Sequence, residues 1–365
     1  MSETYFVTGA TGFIGRCLTR RLLESGARLK CLTRATSNKA WLQGLPNVEI
    51  VEGDLKDGDS LSRGIDGVDG VFHLAGLTRE SRSGEFMEVN CAGTLDLARR
   101  CARMRRPPTL VYVSSLSCSG VARKGDALSG ASGERLYSLC RRKRETDYPH
   151  PISAYGRSKF AAEQNLQDYS EKFPITVVRP PYVFGEWDMA SLPLFAMAKR
   201  RGNFVLPGWK DHYFSFIYVE DLVKVLIAAM RRGERMTPSS LSPTVDSATG
   251  AKFCPGTGVY FATAPDPILF SEYGRMVGNA YGRNRTRVWR VPPVGVLGAG
   301  IYGEIVKRAF GKTVSMDWNK SLEALRGPWI CNGAKAEEQL GVEISADLES
   351  KFSRGALWYE NQKYL

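Results

Sequence analysis

The sequence predicts an α/β protein with a doubly wound parallel sheet and a smaller C-terminal α+β substrate lobe. Three observations support this fold class. Short apolar runs alternate with amphipathic runs through the first half of the chain. The apolar runs are rich in valine, as in strands that are buried on both faces. A glycine-rich turn joins the first apolar run to the first amphipathic run, as in folds that bind a dinucleotide.

The strands and helices of the sheet are predicted from residue 5 onward. We expect strands at 5–7, 28–33, 48–52, 70–74, 110–114 and 175–178, and helices at 13–25, 59–64, 86–104 and 154–169. After residue 180 the pattern is less regular. There we expect helices at 191–201, 219–230, 270–281, 295–310, 334–340 and 348–359. Ligands of parallel sheets bind at the carboxyl ends of the strands, so we expect the functional residues at these ends or in the helices that follow them.

The glycine-rich turn is Thr8-Gly9-Ala10-Thr11-Gly12-Phe13-Ile14-Gly15. Glycines allow the backbone to turn tightly and to approach a ligand closely. The following helix N-terminus offers free N–H groups and a partial positive charge to a phosphate. We therefore assign residues 1–180 to an NAD(P)-binding Rossmann domain and 181–365 mainly to a substrate-binding lobe. Segments 215–230 and 258–263 are expected to return to the main sheet.

The end of the second strand bears on the choice of cofactor. An Asp or Glu about 20 residues after the glycines is typical of NAD, because its carboxylate binds the ribose 2′-hydroxyl. Here the chain has Arg34, which would pair with a 2′-phosphate. NADP is therefore favoured over NAD, with a surface role for Arg34 as the alternative. Asp54 ends the third strand, where it either accepts a bond from adenine or closes a turn.

A tyrosine and a lysine lie four residues apart at the start of the helix predicted at 154–169. This spacing puts Tyr155 and Lys159 on one helix face. A nearby cation would pull the pKa of the phenol down toward neutrality and make it a usable general acid or base. Ser115 follows the strand predicted at 110–114 and could bond a substrate oxygen beside the tyrosine. A capping role is the alternative for Ser115.

Composition narrows the class of protein. Hydrophobic and charged residues make up 43% and 24% of the chain, as in soluble globular proteins. The net charge is +12, but the arginine clusters are scattered without interleaved aromatic residues, which disfavours a nucleic-acid site. The eight cysteines include no Cys-x-x-Cys pair, so we expect reduced thiols and no metal site. No apolar run is long enough to span a bilayer, and the first strand leaves no room for a signal peptide. We therefore expect a cytoplasmic protein.

Together these residues resemble the extended short-chain dehydrogenase/reductase family, whose members include NAD-dependent epimerases and dehydratases. The matching segments are Thr8 to Gly15, Gly53-Asp54-Leu55, His73-Leu74-Ala75-Gly76, Val89-Asn90, Gly93-Thr94, Val113-Ser114-Ser115, Tyr155 to Lys159, Arg179 to Gly185, and Phe216 to Leu222. A later segment, Gly327 to Gly333 with Lys335, Ala336 and Leu340-Gly341, is similar to the branch of 3β-hydroxysteroid dehydrogenases and dihydroflavonol reductases.

The resemblance implies a role for each matching residue. Hydride transfer would run between the nicotinamide and a carbonyl or hydroxyl carbon, with Tyr155 as proton donor, Lys159 lowering its pKa and binding ribose, and Ser115 polarising the carbonyl. Asn90 would support the lysine. The residues expected to contact the cofactor are Gly9, Gly12, Phe13, Ile14, Gly15, Arg34, Asp54, Leu55, Leu74, Ala75, Asn90, Tyr155, Lys159, Pro181 and Val183. Helices 86–104 and 154–169 would form the surface of a homodimer.

Three functions remain open from the sequence. The first is an NADP-dependent oxidoreductase acting on a small hydrophobic molecule. The second is a nucleotide-sugar epimerase, although Arg34 argues against a tightly held NAD. Dehydration is disfavoured because Leu116, and not an acid, follows Ser115. The third is a non-catalytic dinucleotide sensor, which would have no need of Ser115, Tyr155 and Lys159.

Two segments stand outside this assignment. Residues 121–150 form an insertion, either a surface elaboration or a lid. Residues 291–310 are apolar and end in basic residues, so they either pack in the small lobe, line an apolar pocket or contact a membrane surface peripherally.

Overall fold

The computed structural model describes residues 2–122, 141–247, 250–312, 314 and 316–365. Most of the predicted insertion at 121–150 lies outside the described residues. The strands are β1 Thr4–Thr8, β2 Arg28–Thr33, β3 Val48–Glu52, β4 Gly70–His73, β5 Thr109–Val113, β6 Ile175–Arg179, β7 Tyr182–Phe184, β8 Asn203–Pro207, β9 Tyr213–Phe214, β10 Phe216–Tyr218, β11 Thr244–Val245, β12 Lys252–Phe253, β13 Val259–Phe261, β14 Ile268–Leu269 and β15 Arg287–Val291.

Helices alternate with the strands of the first half and dominate the second. They are α1 Phe13–Glu24, α2 Gly58–Ile65, α3 Gly93–Cys101, α4 Leu116–Ser119, α5 Ala154–Gln167, α6 Leu192–Arg201, α7 Val219–Arg232, α8 Phe270–Asn279, α9 Pro293–Phe310, α10 Trp318–Leu325, α11 Ala334–Leu340 and α12 Leu348–Asn361. A π-helical turn, Met87–Ala92, precedes α3, and a single 3₁₀ turn covers Ala40–Leu42. Strand boundaries predicted for the first half agree with these within two residues.

The central sheet has seven strands in the order β13-β6-β5-β4-β1-β2-β3, and every neighbouring pair is parallel. All residues of β4 and β6 are buried, because helices cover both faces of the sheet. The strand order reverses between β1 and β4, so the loops that follow these strands separate and leave a crevice. The predicted doubly wound α/β fold is confirmed.

The second half supplies one strand to this sheet and builds several small ones. Val259–Phe261 is the edge strand beside β6. Phe216–Tyr218 does not join the central sheet, because it pairs instead with Tyr182–Phe184. The helix that follows it, α7, packs against α1, β5 and β6. Strands β8 and β15 pair in parallel, and neither was expected from the sequence, since charged and aromatic residues break the apolar pattern of β15. The division into two domains stays a prediction.

A chain of hydrogen bonds through His73 joins β1, β4 and α3 beside the glycine turn. The backbone N–H of Ala75 donates to Thr8 Oγ1 over 3.2 Å, and this oxygen lies 2.7 Å from His73 Nδ1. On the other side, His73 Nε2 lies 2.9 Å from Thr94 Oγ1. Thr94 donates its own proton to the Asn90 carbonyl over 2.7 Å. The ring must therefore carry its proton on Nε2 and accept from Thr8 at Nδ1.

We predict that His73 makes the protein sensitive to acid. Burial, with the charge of Lys159, lowers the pKa of His73 from 6.5 to about 3, so the unfolded chain binds more protons between these values. The stability that the neutral ring contributes is fully present above pH 6.5 and is lost as the pH falls toward 3. The slope approaches ~1.4 kcal/mol per pH unit. Urea unfolding of wild type and His73→Gln at pH 7, 6, 5 and 4 should show two curves that converge in acid. Parallel curves would contradict the prediction.

Candidate active site

The glycine turn fits tightly between β1 and the end of β4. Gly9 has a φ of +78°, and a Cβ there would lie 2.8 Å from the backbone nitrogen of Ala75. A Cβ at Gly15 would lie 2.0 Å from the carbonyl oxygen of Gly9. No side chain caps the start of α1 at Gly12, and its first turn holds no acidic residue. The N–H groups from Phe13 onward can therefore meet a phosphate.

Arg34 and Asp54 follow β2 and β3 on the same edge of the sheet. Arg34 is exposed, and its guanidinium makes no hydrogen bond or ion pair with any residue that the structure describes. Its neighbour Lys39 pairs with Glu52. Asp54 Oδ1 accepts a hydrogen bond from the N–H of Lys56 over 3.0 Å, so this carboxylate closes a turn. Arg34 is thus placed to receive an anion.

The remaining residues predicted to contact a cofactor lie along this edge at different depths. Leu55 is buried, and a Cβ at Gly93 would come within 2.9 Å of it, so Leu55 mainly packs the loop against α3. Six others are half-buried at or near the crevice: Phe13, Ile14, Leu74, Ala75, Pro181 and Val183.

Asn90 holds the loop after β4. It lies buried in the π-helical turn, where its Oδ1 accepts from the N–H of Leu77 over 2.7 Å and its Nδ2 donates to the carbonyl of Leu77 over 3.0 Å. Nδ2 also lies 3.0 Å from Ser158 Oγ, one residue before Lys159. Among the described hydrogen bonds, Asn90 therefore bonds to Ser158, next to Lys159, and not to Lys159 itself.

Ser115, Tyr155 and Lys159 meet at the carboxyl end of β5. Ser115 caps α4, and its Oγ accepts from the N–H of Ser117 over 3.1 Å. The Ser115 side chain is also a hydrogen-bonding neighbour of Tyr155 and lowers the pKa of its hydroxyl. Lys159 Nζ donates over 2.9 Å to the carbonyl of Val113, the last residue of β5. The serine and lysine therefore approach the same strand end from two helices.

Burial controls the protonation of this group. It raises the pKa of the Tyr155 hydroxyl well above its usual value, with Ser115 acting in the opposite direction. The same burial lowers the pKa of Lys159 to about 8, opposed by the charge of Glu163. The spacing alone led us to expect a lowered pKa for the tyrosine. The difference arises because removal of the phenol from water has the largest effect on its pKa, while the ammonium of Lys159 is held at Val113 and over the ring of Tyr112, 4.8 Å from its centre.

Helix α10, which the sequence analysis missed, braces the start of α5. Asn319 Oδ1 accepts from the N–H of Ala154 over 2.9 Å. Ser153 donates its hydroxyl proton to Glu323 over 2.6 Å, which puts a carboxylate at the positive end of the α5 dipole. Both contacts are made at the first turn of α5, which carries Tyr155, so they fix the backbone position of that residue.

The same helix brings a cation close to Tyr155. Lys320 Nζ lies 5.7 Å from the centre of the Tyr155 ring. A sequence signal for α10 was present, because Asp317 is an N-cap residue whose carboxylate accepts from the N–H of Lys320 over 2.8 Å. That signal predicts a helix but not its partner.

A cavity of about 1150 Å³ lies behind this group, between the outer side of α5, the loop after β4, and α9. Phe86 lines it and contacts Tyr155, with ring centres 5.7 Å apart. Its apolar walls also include Met87, Ile301 and Ile305. The ring of Phe86 therefore lies between this cavity and Tyr155.

The fold and this group of residues define a nicotinamide-dinucleotide oxidoreductase of the short-chain dehydrogenase/reductase type. Residues 5–240 match the NAD dependent epimerase/dehydratase family, and the chain belongs to that family. Within the helices that the structure describes, none has the length and apolar character needed to cross a membrane.

Relatives include both reductases and epimerases. A bifunctional dihydroflavonol 4-reductase/flavanone 4-reductase of Pyrus communis is 31% identical over 53% of this chain and 57% of its own length, so less than two thirds of that enzyme is matched. A ceramide reductase of Caulobacter vibrioides is 26% identical over 98% of this chain and 95% of its own length. The UDP-glucuronic acid 4-epimerase of Bacillus cereus, solved with UDP-glucuronic acid and NAD, has a TM-score of 0.68 at 19% identity over 98% of this chain and 99% of that one. This last likeness concerns the fold alone.

We predict that Asn319→Ala lowers kcat about tenfold, because the first turn of α5 and its tyrosine would lose a positioning contact. Asn332→Ala is the matched control: its Oδ1 accepts from the N–H of Ala334 over 2.9 Å at the start of another helix. Both variants should lose about 1 kcal/mol of unfolding free energy. Steady-state turnover and urea unfolding of the pair check this. Equal kcat values in the two variants would contradict a positioning role.

Proposed function

We propose that this protein is an NADP-dependent ketoreductase that transfers hydride between the nicotinamide and a carbonyl or hydroxyl carbon of a small hydrophobic substrate. The observation that carries the proposal is the meeting of Ser115, Tyr155 and Lys159 at the end of β5. This group lies beside the glycine turn, since a Cβ at Gly76 would be 3.3 Å from Lys159 Nζ and Gly9 abuts the loop before it.

The residues of the crevice suit a dinucleotide. The space that a Cβ at Gly9 or Gly15 would fill is occupied by backbone, and the start of α1 has uncapped N–H groups for a pyrophosphate. The guanidinium of Arg34, which has no partner among the residues that the structure describes, suits a ribose 2′-phosphate, which is why we favour NADP over NAD. The bound nicotinamide would supply or accept the hydride.

The chain's own residues manage the proton and the carbonyl oxygen. The raised pKa of Tyr155 keeps its hydroxyl protonated at neutral pH, as a general acid for carbonyl reduction requires. Ser115 would donate a hydrogen bond to the carbonyl oxygen and polarise it. Lys159, with a pKa of about 8, is mostly an ammonium at pH 7 and would bond the ribose of the nicotinamide nucleotide.

A hydrophobic substrate is supported by two independent facts. Phe86, whose ring centre lies 5.7 Å from that of Tyr155, and Met87 line the cavity on the outer side of α5, which also has polar walls that include Arg157 and Gln164. Two of the relatives named above are reductases, one of dihydroflavonols and flavanones and the other of ceramide, a lipid. Nucleotide-sugar epimerisation is the second candidate, supported by the family match. The two differ in whether the cofactor is consumed.

We predict that Tyr155→Phe lowers kcat by about 10²- to 10⁴-fold and leaves NADPH binding unchanged, because only the proton donor is removed. Tyr169→Phe, at the other end of the same helical segment, is the control and should turn over normally. NADPH oxidation is measured against ketones, sterols, acyl ketones and nucleotide sugars. Normal turnover by Tyr155→Phe would refute the mechanism. Conversion of a nucleotide sugar without net NADPH loss would establish the epimerase instead.

We predict that Arg34→Ala raises KM for NADPH about 10- to 100-fold, because a charge-assisted bond to the 2′-phosphate is lost. KM for NADH should stay the same. Arg28→Ala is the control, since Arg28 is exposed at the opposite end of the same strand and far from the crevice. A variant whose KM rises equally for both nucleotides would remove the support for NADP.

A further inference from the structure

Helix α9 is packed through its smallest residues. Its buried positions are Val296, Gly300, Gly303 and Lys307. A Cβ at Gly300 would lie 2.2 Å from Ser321 Oγ, and one at Gly303 would lie 1.9 Å from the carbonyl oxygen of Met316. The helix backbone therefore lies directly against the segment that leads into α10. Little apolar side-chain surface of α9 is used for the protein's own core.

The large apolar residues of α9 point the other way. Val294 is 77% exposed, Tyr302 70%, Ile305 58% and Ile301 51%. Their spacing of seven, eight and eleven residues places them along one side of the helix, with Gly298 and Ala309 between and beyond them. The exposed Arg308, which pairs with Glu304, lies at the C-terminal end of this face. A continuous exposed apolar face of this kind marks an interaction surface.

Positive charge is concentrated in this helix and in the segment before it. Residues 283–312 contain seven Lys and Arg and one acidic residue, Glu304; Lys307 is buried and paired with Glu80 and Glu304, and the other six basic residues are exposed. Trp289 is 57% exposed just before the helix, beside the exposed Arg290. At the other end Phe310 is 69% exposed next to the exposed Lys312. An apolar face flanked by aromatic and basic residues is the pattern of a helix that lies in a membrane interface.

We propose that α9 binds this protein to an anionic phospholipid surface, with the outer face of the helix at the boundary between headgroups and acyl chains. The contact is peripheral, with the helix lying along the surface. Charge favours a lipid surface over a second copy of the chain, because a twofold contact through this face would bring together the exposed cations of both copies, among them Arg290, Arg308 and Lys312. The apolar face, in turn, distinguishes this surface from a site for a fully solvated polyanion.

The exposed face of α9 borders the cavity on the outer side of α5. Ile301 and Ile305 line the cavity whose far wall includes Phe86 beside Tyr155. The buried ammonium of Lys307 lies 3.2 Å from Glu80, which fastens α9 to the loop after β4. A hydrophobic substrate dissolved in the bilayer would thus meet the cavity directly. Entry of substrate from the bilayer rests on the proposed function, whereas membrane binding through α9 does not.

The test is sedimentation of the full chain with vesicles of phosphatidylcholine alone or mixed with phosphatidylglycerol. We expect binding to the anionic vesicles that weakens at high salt. Val294→Glu/Tyr302→Glu should reduce this binding at least tenfold. Val245→Glu/Leu357→Glu is the control, because these residues are 62% and 56% exposed outside α9 and the charge change is the same. Both double variants should keep the wild-type unfolding midpoint.

A second pair of substitutions tests the charge separately. Arg308→Gln/Lys312→Gln should weaken binding to anionic vesicles and reduce its dependence on salt, while leaving the apolar face intact. The proposal is overturned if wild type stays in the supernatant with anionic vesicles, or if the α9 and control variants bind equally. It is also overturned if Val294→Glu/Tyr302→Glu converts a dimer to a monomer in sedimentation velocity while vesicle binding is absent. None of these measurements depends on turnover.

Discussion

The contact between the glycine turn and the end of β4 is the constraint on which the rest of the site depends. With the Gly9 backbone against Ala75, two loops that follow neighbouring parallel strands come within van der Waals distance at the switch point of the sheet. The neighbouring Gly76 in turn approaches Lys159. A phosphate cradle and a buried ammonium are therefore held on opposite sides of one short loop. The hydrogen bonds around His73 hold that loop to β1, and the hydrogen bonds of Asn90 hold it to the π-helical turn before α3.

Burial gives this group its chemical character. A phenol and an ammonium that are removed from water both shift toward their neutral forms, so Tyr155 keeps its proton and Lys159 holds its extra proton less firmly. The partners that remain, the Val113 carbonyl and the Ser115 hydroxyl, are those of the strand end. The end of β5 thus positions Ser115 and the ammonium of Lys159, and α5 brings Tyr155 to the same place. Because α10 supports the first turn of α5, the C-terminal part of the chain contributes to the placement of the tyrosine.

Local features of the sequence predicted much of this arrangement. The strands of the sheet, the glycine turn and the Tyr155–Lys159 spacing follow from short-range patterns, and these patterns do not depend on distant residues. The direction of the Tyr155 pKa shift could not be predicted, because it depends on how deeply the phenol lies and on where the ammonium finds its hydrogen bond. The pairing of Phe216–Tyr218 with β7 was missed for a similar reason: a three-residue apolar run does not specify its neighbour.

Helix α9 shows a different limit of sequence patterns. Hydrophobic periodicity identifies an apolar side of a helix, and for most helices that side is the buried one. In α9 the buried side includes Gly300 and Gly303, which permit the backbone to pack closely, together with Val296 and Lys307, while Ile301, Tyr302 and Ile305 are mostly exposed. The sequence left packing, a pocket wall and a membrane contact as alternatives, and only the position of the neighbouring segment decides which side faces inward. Because backbone contacts pack the buried side, much of the apolar surface of the outer residues stays exposed, and an exposed apolar face beside exposed cations suits a partner that is both apolar and anionic.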